Sequence, residues 1–203
     1  MTGLKEIIRN HMIEHYGEKS LDDYPLAYHI AEYAHYNQKR VNGSPYFVHP
    51  ISMFENYESF MRLSYKELDK DLHNELGIPF YGVIDVILLH DVVEDTDITF
   101  EDIRDYYHEN RHGKFYDYCV DKPLRLITHD KNDDYDTYIE KVMSHPISAF
   151  VKMIDLIDNS NLFTLNKLDD EEYQRTLRYI TYFKRINDKY HFVEKIYEYR
   201  NRI

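Results

Sequence analysis

Between Val83 and Leu89 an apolar run, Val-Ile-Asp-Val-Ile-Leu-Leu, passes into His90, Asp91, Glu94 and Asp95 with no loop residue between. A chain that buries such a run must also accommodate the polar group attached to it. Read as one helix from about residue 80 to 95, the stretch places His90 four residues from Glu94 and Asp91 four from Asp95, so each pair shares a face. His90 and Asp91 can offer an imidazole nitrogen and a carboxylate oxygen to one divalent cation. Glu94 and Asp95, one turn further on, can orient or deprotonate a water beside it. Burying a charged group is costly unless it is compensated, and a cation compensates several at once.

Elsewhere apolar residues recur three and four apart, no strand alternation persists, and Gly and Pro number only six each in 203 residues. That pattern predicts an all-α fold. With no linker, repeat or low-complexity tract, residues 1–203 read as a single compact bundle of about 8–10 helices. Predicted helices cover residues 4–16, Pro25 to Gln38, and a segment opening at Pro50, where His49 caps the entrance. A polar helical or loosely connecting stretch follows at 61–75. Beyond residue 95, a capping box at Thr99-Phe100-Glu101-Asp102 starts a helix to about Asn110. Further helices are predicted at 114–128, kinked by Pro123, then at 135–144, from Pro146, at 170–190 and at 190–201.

A single Cys119 excludes an internal disulfide framework and a Cys-rich zinc site. No apolar signal core opens the chain and no run approaches the roughly 18 residues of a membrane span, so a cytoplasmic protein without a membrane partner is expected. A net charge of −12 argues against nucleic acid as a partner. An anionic small molecule remains compatible, provided a metal and a few Lys or Arg make a local positive pocket. Oligomeric state is not readable from the sequence.

The polar residues set into apolar helices occur in the order His49, His90-Asp91, Asp155. That order resembles the metal signature of the HD-domain phosphohydrolases. The flanks sharpen the likeness: Tyr33-Ala34-His35-Tyr36-Asn37-Gln38-Lys39-Arg40, Gly43-Ser44-Pro45-Tyr46-Phe47-Val48-His49-Pro50, Leu88 to Thr96, and Val151-Lys152-Met153-Ile154-Asp155-Leu156-Ile157-Asp158-Asn159. Over about residues 25–185 they look like the hydrolase domain of RelA/SpoT-type alarmone enzymes, and most like the small alarmone hydrolases. The resemblance implies that His49, His90, Asp91 and Asp155 bind one divalent metal, Mn²⁺ in this family, with Fe²⁺ or Zn²⁺ as alternatives. It implies that Glu94 and Asp95 are the catalytic pair and that Arg40 packs on a guanine base. Asn159 falls near the ribose and phosphates, and Arg178 and Tyr182 at the phosphate end of a late helix.

The implied activity is hydrolysis of the 3′-pyrophosphate of (p)ppGpp, a small guanosine nucleotide, to GDP or GTP and pyrophosphate. Two departures stand out: Val41 after Arg40, where many members have Lys, and Ser160-Asn161-Leu162 in place of an apolar-Arg-Thr run. They motivate a second reading, an HD phosphohydrolase acting on the 2′-phosphate of NADPH or on an adenine alarmone. A third is a non-catalytic module that senses a nucleotide, against which the intact Glu94-Asp95 pair argues.

Overall fold

A computed structural model describes residues 3–61 and 69–202. Among them are fourteen α-helical segments and no β-strand, three of the helices being only three or four residues long. The first half comprises α1 (Leu4–Tyr16), α2 (Ser20–Asp23), α3 (Leu26–His35), α4 (Val48–Met61), α5 (Lys70–Leu76), α6 (Val83–Leu89) and α7 (Val92–Asp95). The second half comprises α8 (Phe100–Glu109), α9 (Gly113–Phe115), α10 (Asp121–Ile127), α11 (Tyr135–Val142), α12 (Pro146–Asn159), α13 (Asp170–Tyr190) and α14 (Phe192–Arg200). Residues 62–68, part of the stretch read as polar helix or loose connection, lie outside the described residues. No helix among the described residues is long and apolar enough to cross a membrane.

The centre of the bundle is α12, ten of whose fourteen residues are buried and which packs on α4, α6, α10, α11 and α13. Pro146 occupies its first turn, where a missing N–H costs nothing, and His145 accepts from the Ile147 N–H as its cap. Next to it α6 is wedged among α3, α4 and α12 by five buried side chains, Val83, Val86, Ile87, Leu88 and Leu89. Each contributes roughly 1.5–3 kcal/mol of burial. The position of α6 is therefore set by packing, and the polar residues at its end go where it points.

Several boundaries differ from the sequence reading. The helix predicted over 80–95 is two helices, because α6 stops at Leu89 and α7 begins at Val92. The Ile87 carbonyl accepts from the His90 ring at 2.8 Å, and Asp91 turns off the helical path at φ −98°, ψ −7°. A side chain that bonds the local backbone in this way competes with the helical ladder. Likewise α4 starts at Val48, so His49 sits in its first turn rather than capping it. Turn bonds from Val48 N–H to the Pro45 carbonyl and from His49 N–H to the Tyr46 carbonyl wind the chain before Pro50 is reached. The helix predicted to Gln38 ends at His35 and releases a tight turn closed by a Lys39–Pro45 bridge.

Residues 113–127 are helical, but a π-helical turn at Tyr116–Val120 interrupts them ahead of Pro123. Proline has no N–H for the carbonyl four residues back and its ring crowds it. That carbonyl, of Cys119, lies against Gly82 at the start of α6, where a Cβ on Gly82 would stand 2.6 Å from it. Gly82 also has φ +90°, a region closed to most side chains. Gly82→Ala should destabilise the fold by about 2–3 kcal/mol, from strain plus backbone collision. For a chain of this size that corresponds to a melting temperature lower by roughly 5–10 °C. A loss below about 1 °C in thermal unfolding would contradict the contact.

Candidate metal centre and its cleft

Three elements deliver the polar residues to one point: His49 from the first turn of α4, His90 and Asp91 from the break between α6 and α7, and Asp155 from α12. The two imidazoles meet edge to face, their planes 68° apart and their ring centroids 5.2 Å apart. Each has its Nδ1 committed elsewhere. His90 Nδ1–H donates to the Ile87 carbonyl, which can only accept, and His49 Nδ1–H donates to Asp158 Oδ2 at 2.6 Å. Both Nε2 atoms are thereby turned to the same side, the tautomer that a metal-binding histidine requires.

Opposite them, Asp91 Oδ2 lies 2.9 Å from His90 Nε2 and 3.7 Å from His49 Nε2. His49, His90 and Asp91 offer ligand atoms all within 4.8 Å of one another, a metal-competent set. Asp155 stands beside it, with Oδ1 at 3.2 Å from His49 Nε2 and 3.9 Å from His90 Nε2. Its carboxylate is also held by Lys152 Nζ at 2.7 Å and by the Asn159 amide at 2.6 Å. A divalent cation fits this donor set on one observation in particular: with its proton on Nδ1, the buried His90 Nε2 has no donor to pair with and faces only the Asp91 carboxylate, 2.9 Å away. Leaving a buried polar atom unpaired is unfavourable, and a cation would pair it.

Electrostatics point the same way. Burial opposes a charge on His49, but the hydrogen bonds and charges of Asp155, Asp158 and Asp91 outweigh it and raise its pKa to about 9. Burial likewise pushes the Asp91 carboxyl upward, yet His90 and His49 hold it well below the ordinary carboxylate range. Lys152 remains charged despite burial, because Asp155 faces it and the rings of Tyr138 and Tyr135 lie 5.2 and 5.8 Å from its ammonium.

The other predicted residues are distributed unequally. Glu94 and Asp95 line the same 240 Å³ cavity as the cluster. Burial raises the pKa of Glu94, against a 3.0 Å bond from the His129 N–H that favours its charged form. Asp95 accepts from the Tyr46 hydroxyl at 2.8 Å, and the same hydroxyl lies 2.5 Å from Asp91 Oδ2. Arg40 and Asn159 touch each other at 3.3 Å, where this cavity meets a second one of 210 Å³. Arg178 and Tyr182 do not reach either cavity; they line a separate concavity with Asp136 and Arg185, although Tyr182 packs on Tyr135, 4.7 Å away, at the cluster's edge. The residues that α13 does present to the second cavity are Glu172, Arg175 and Tyr179, the first two joined in an ion pair. Arg175-Tyr179 and Arg178-Tyr182 have the same four-residue spacing, so spacing could not choose between them; the rotation of α13 on α12 does.

Asp158, Tyr46 and His129 were not singled out by sequence reasoning as site residues. Asp158 had a readable signal, since it follows Asp155 by three residues on one helix and therefore shares its face. The Ser160-Asn161-Leu162 departure does not touch the cleft: the Ser160 hydroxyl donates to the Leu156 carbonyl, Asn161 caps a 3-10 turn, and Leu162 is exposed.

The raised pKa of His49 has a definite sign. Its stabilising charge is fully present below the unfolded value of 6.5 and is lost as pH rises through about 9. A metal needs the neutral ring, so ion binding must displace that proton. Metal-free protein should therefore lose thermal stability as pH rises through this range, while stabilisation by excess Mn²⁺ over chelator should widen. A Mn²⁺ effect independent of pH would place the ion elsewhere.

No protein-family model matches the chain. Over 149 residues it is 29% identical to a guanosine-3′,5′-bis(diphosphate) 3′-pyrophosphohydrolase of Aquifex aeolicus (strain VF5), a match covering 70% of this chain but only 19% of that protein. The chain thus spans about a fifth of the length of the curated relative it matches. Among solved structures it is similar to one described as a metazoan ortholog of SpoT that hydrolyzes ppGpp and plays a role in starvation responses. The TM-score is 0.55 at 22% identity, over 87% of this chain and 97% of the other. The chain is built on the same helical fold as that hydrolase and over 70% of its length is similar in sequence to the Aquifex aeolicus protein.

Proposed function

We propose that the chain is a divalent-metal-dependent phosphohydrolase that removes the 3′-pyrophosphate of ppGpp or pppGpp, leaving GDP or GTP. The observation that carries this reading is that the cavity lined by His49, Asp91 and Asp155, with His90 Nε2 directly behind Asp91, is lined also by Glu94 and Asp95 and by Arg40. The likeness to a (p)ppGpp pyrophosphohydrolase supports the choice of substrate. His49, His90, Asp91 and Asp155 would hold the cation, and a donor set of two imidazoles and two carboxylates suits Mn²⁺. When bound, such an ion supplies positive charge to a phosphoryl oxygen and lowers the pKa of water.

The chain's own residues account for the remainder. Glu94, half-buried and with a raised pKa, is the carboxylate best suited to accept the proton of the attacking water. Asp95 is aimed by Tyr46 and orients that water. As the new oxygen–phosphorus bond forms, the bond to the ribose 3′ oxygen breaks and that oxygen takes up a proton. Arg40 and Asn159, at the junction of the cavities, receive the nucleoside side. Arg175, ion-paired with Glu172 through Nη2 but with its Nε buried and unpartnered, would meet the anionic groups in place of the expected Arg178.

Purified protein given ppGpp should release pyrophosphate and GDP with Mn²⁺ and neither with chelator. Folded, metal-loaded protein that binds ppGpp but leaves it intact would favour the sensing module instead, and faster turnover of NADPH would redirect the substrate. Asp91→Ala should lose metal and activity together. Glu94→Gln should retain metal while its turnover drops by about 10²–10⁴-fold. Arg175→Ala should raise KM by about 10-fold or more, the loss of one charge-assisted contact. A larger effect from Arg178→Ala would restore the sequence-based assignment.

A further inference from the structure

Helix α13 runs for 21 residues and is anchored on α12 along one side, where Tyr179 is half-buried and Ile186 fully so. Its opposite side carries Tyr173, Leu177 and Ile180, exposed to 53, 39 and 54%. At 100° per residue these three fall within one narrow stripe, and Asp170 and Lys184 lie on the same stripe at its two ends. Both end residues are exposed. The stripe therefore reads acid, aromatic, leucine, isoleucine, base over 15 residues, about 21 Å of helix.

That order is self-complementary under a two-fold axis. If a second α13 lies antiparallel across the first with the axis at Leu177, Leu177 meets its own copy and Tyr173 comes within one residue, about 1.5 Å of helix rise, of the partner's Ile180. Asp170 then meets the partner's Lys184, and the second acid–base contact follows by symmetry. A parallel arrangement would set like charges opposite at both ends. We infer that the outward stripe of α13 is a homodimer interface, occupied by the same stripe of a second copy in antiparallel register. Isologous two-fold contacts of this kind are the commonest form of self-association. Lys184 already pairs with Asp188 on its own helix, 59% exposed, and an exposed pair of this kind adds little stability and leaves the ammonium free to be shared.

One helix face buries less than the ~800 Å² per partner of a standard complex, so the dimer should be weak, with a dissociation constant on the order of 10–100 µM. Sedimentation velocity from roughly 5 to 500 µM should show a concentration-dependent dimer. Leu177→Glu, at an exposed position, should abolish it without altering the circular dichroism spectrum. Asp170→Lys and Lys184→Glu should each weaken self-association by about 10-fold or more, since each sets like charges opposite one another. Mixing these two reversed chains puts opposite charges at both ends again and should return association to the wild-type level. A chain monomeric throughout, a dimer that survives Leu177→Glu, or a mixture no tighter than its components would each overturn the assignment.

Discussion

Two carboxylates buried on one helix impose the order of everything around them. Asp155 and Asp158 are only 4 and 3% exposed, three residues apart at the end of α12. An unpaired carboxylate at such depth is strongly unfavourable, so each must be met by donors. Asp155 is met by Lys152 and Asn159, and Asp158 by His49, Ser52 and Arg40. The partners of Asp155 lie on α12 itself, whereas those of Asp158 come from the first turns of α4 and from the loop before it. Satisfying α12 thus draws in the histidine that turns its free nitrogen toward Asp91, and the arginine that stands where the two cavities meet.

The helical class and the identities of the cluster residues were legible because both depend on local signals. Apolar spacing reveals which face of α6 is buried, and a histidine and aspartate directly after a buried run announce a polar group that needs compensation. Legibility failed where the outcome depends on one helix against another. Arg178-Tyr182 and Arg175-Tyr179 are equivalent in spacing, and only the packing of α13 on α12 turns the second pair toward the cleft. The orienting role of Asp158 was hidden for the same reason, since its partner His49 is 109 residues away in sequence. Helix ends were misread where a side chain or a turn took over backbone partners, as at His90 and before Pro50.

Tyr46 ties the histidine–aspartate cluster to the acidic pair beside it. Its hydroxyl has one proton and faces two acceptors, Asp91 in the ligand cluster and Asp95 beside it. Burial and the two carboxylates keep that hydroxyl protonated at any physiological pH. Its ring stacks on His35, centroids 4.6 Å apart, and His35 in turn bonds Gln38, whose amide reaches the Asp95 carbonyl. The acidic pair is consequently braced from α3 as well as from its own helix, which fixes the position of the Asp95 carboxylate.

The break between α6 and α7 bears on how such a gene can change over time. In a continuous helix consecutive side chains diverge by about 100°, so His90 and Asp91 would not face one point. The interruption lets both do so, and it depends on the count of residues between the packed helix and the turn that follows. Side chains along α6 can be exchanged for others of similar volume. Lengthening or shortening the segment from Ile87 to Val92 by one residue, however, would rotate one half of the centre away from the other. Descendants of this sequence should therefore tolerate substitution along α6 but admit no insertion or deletion across that junction.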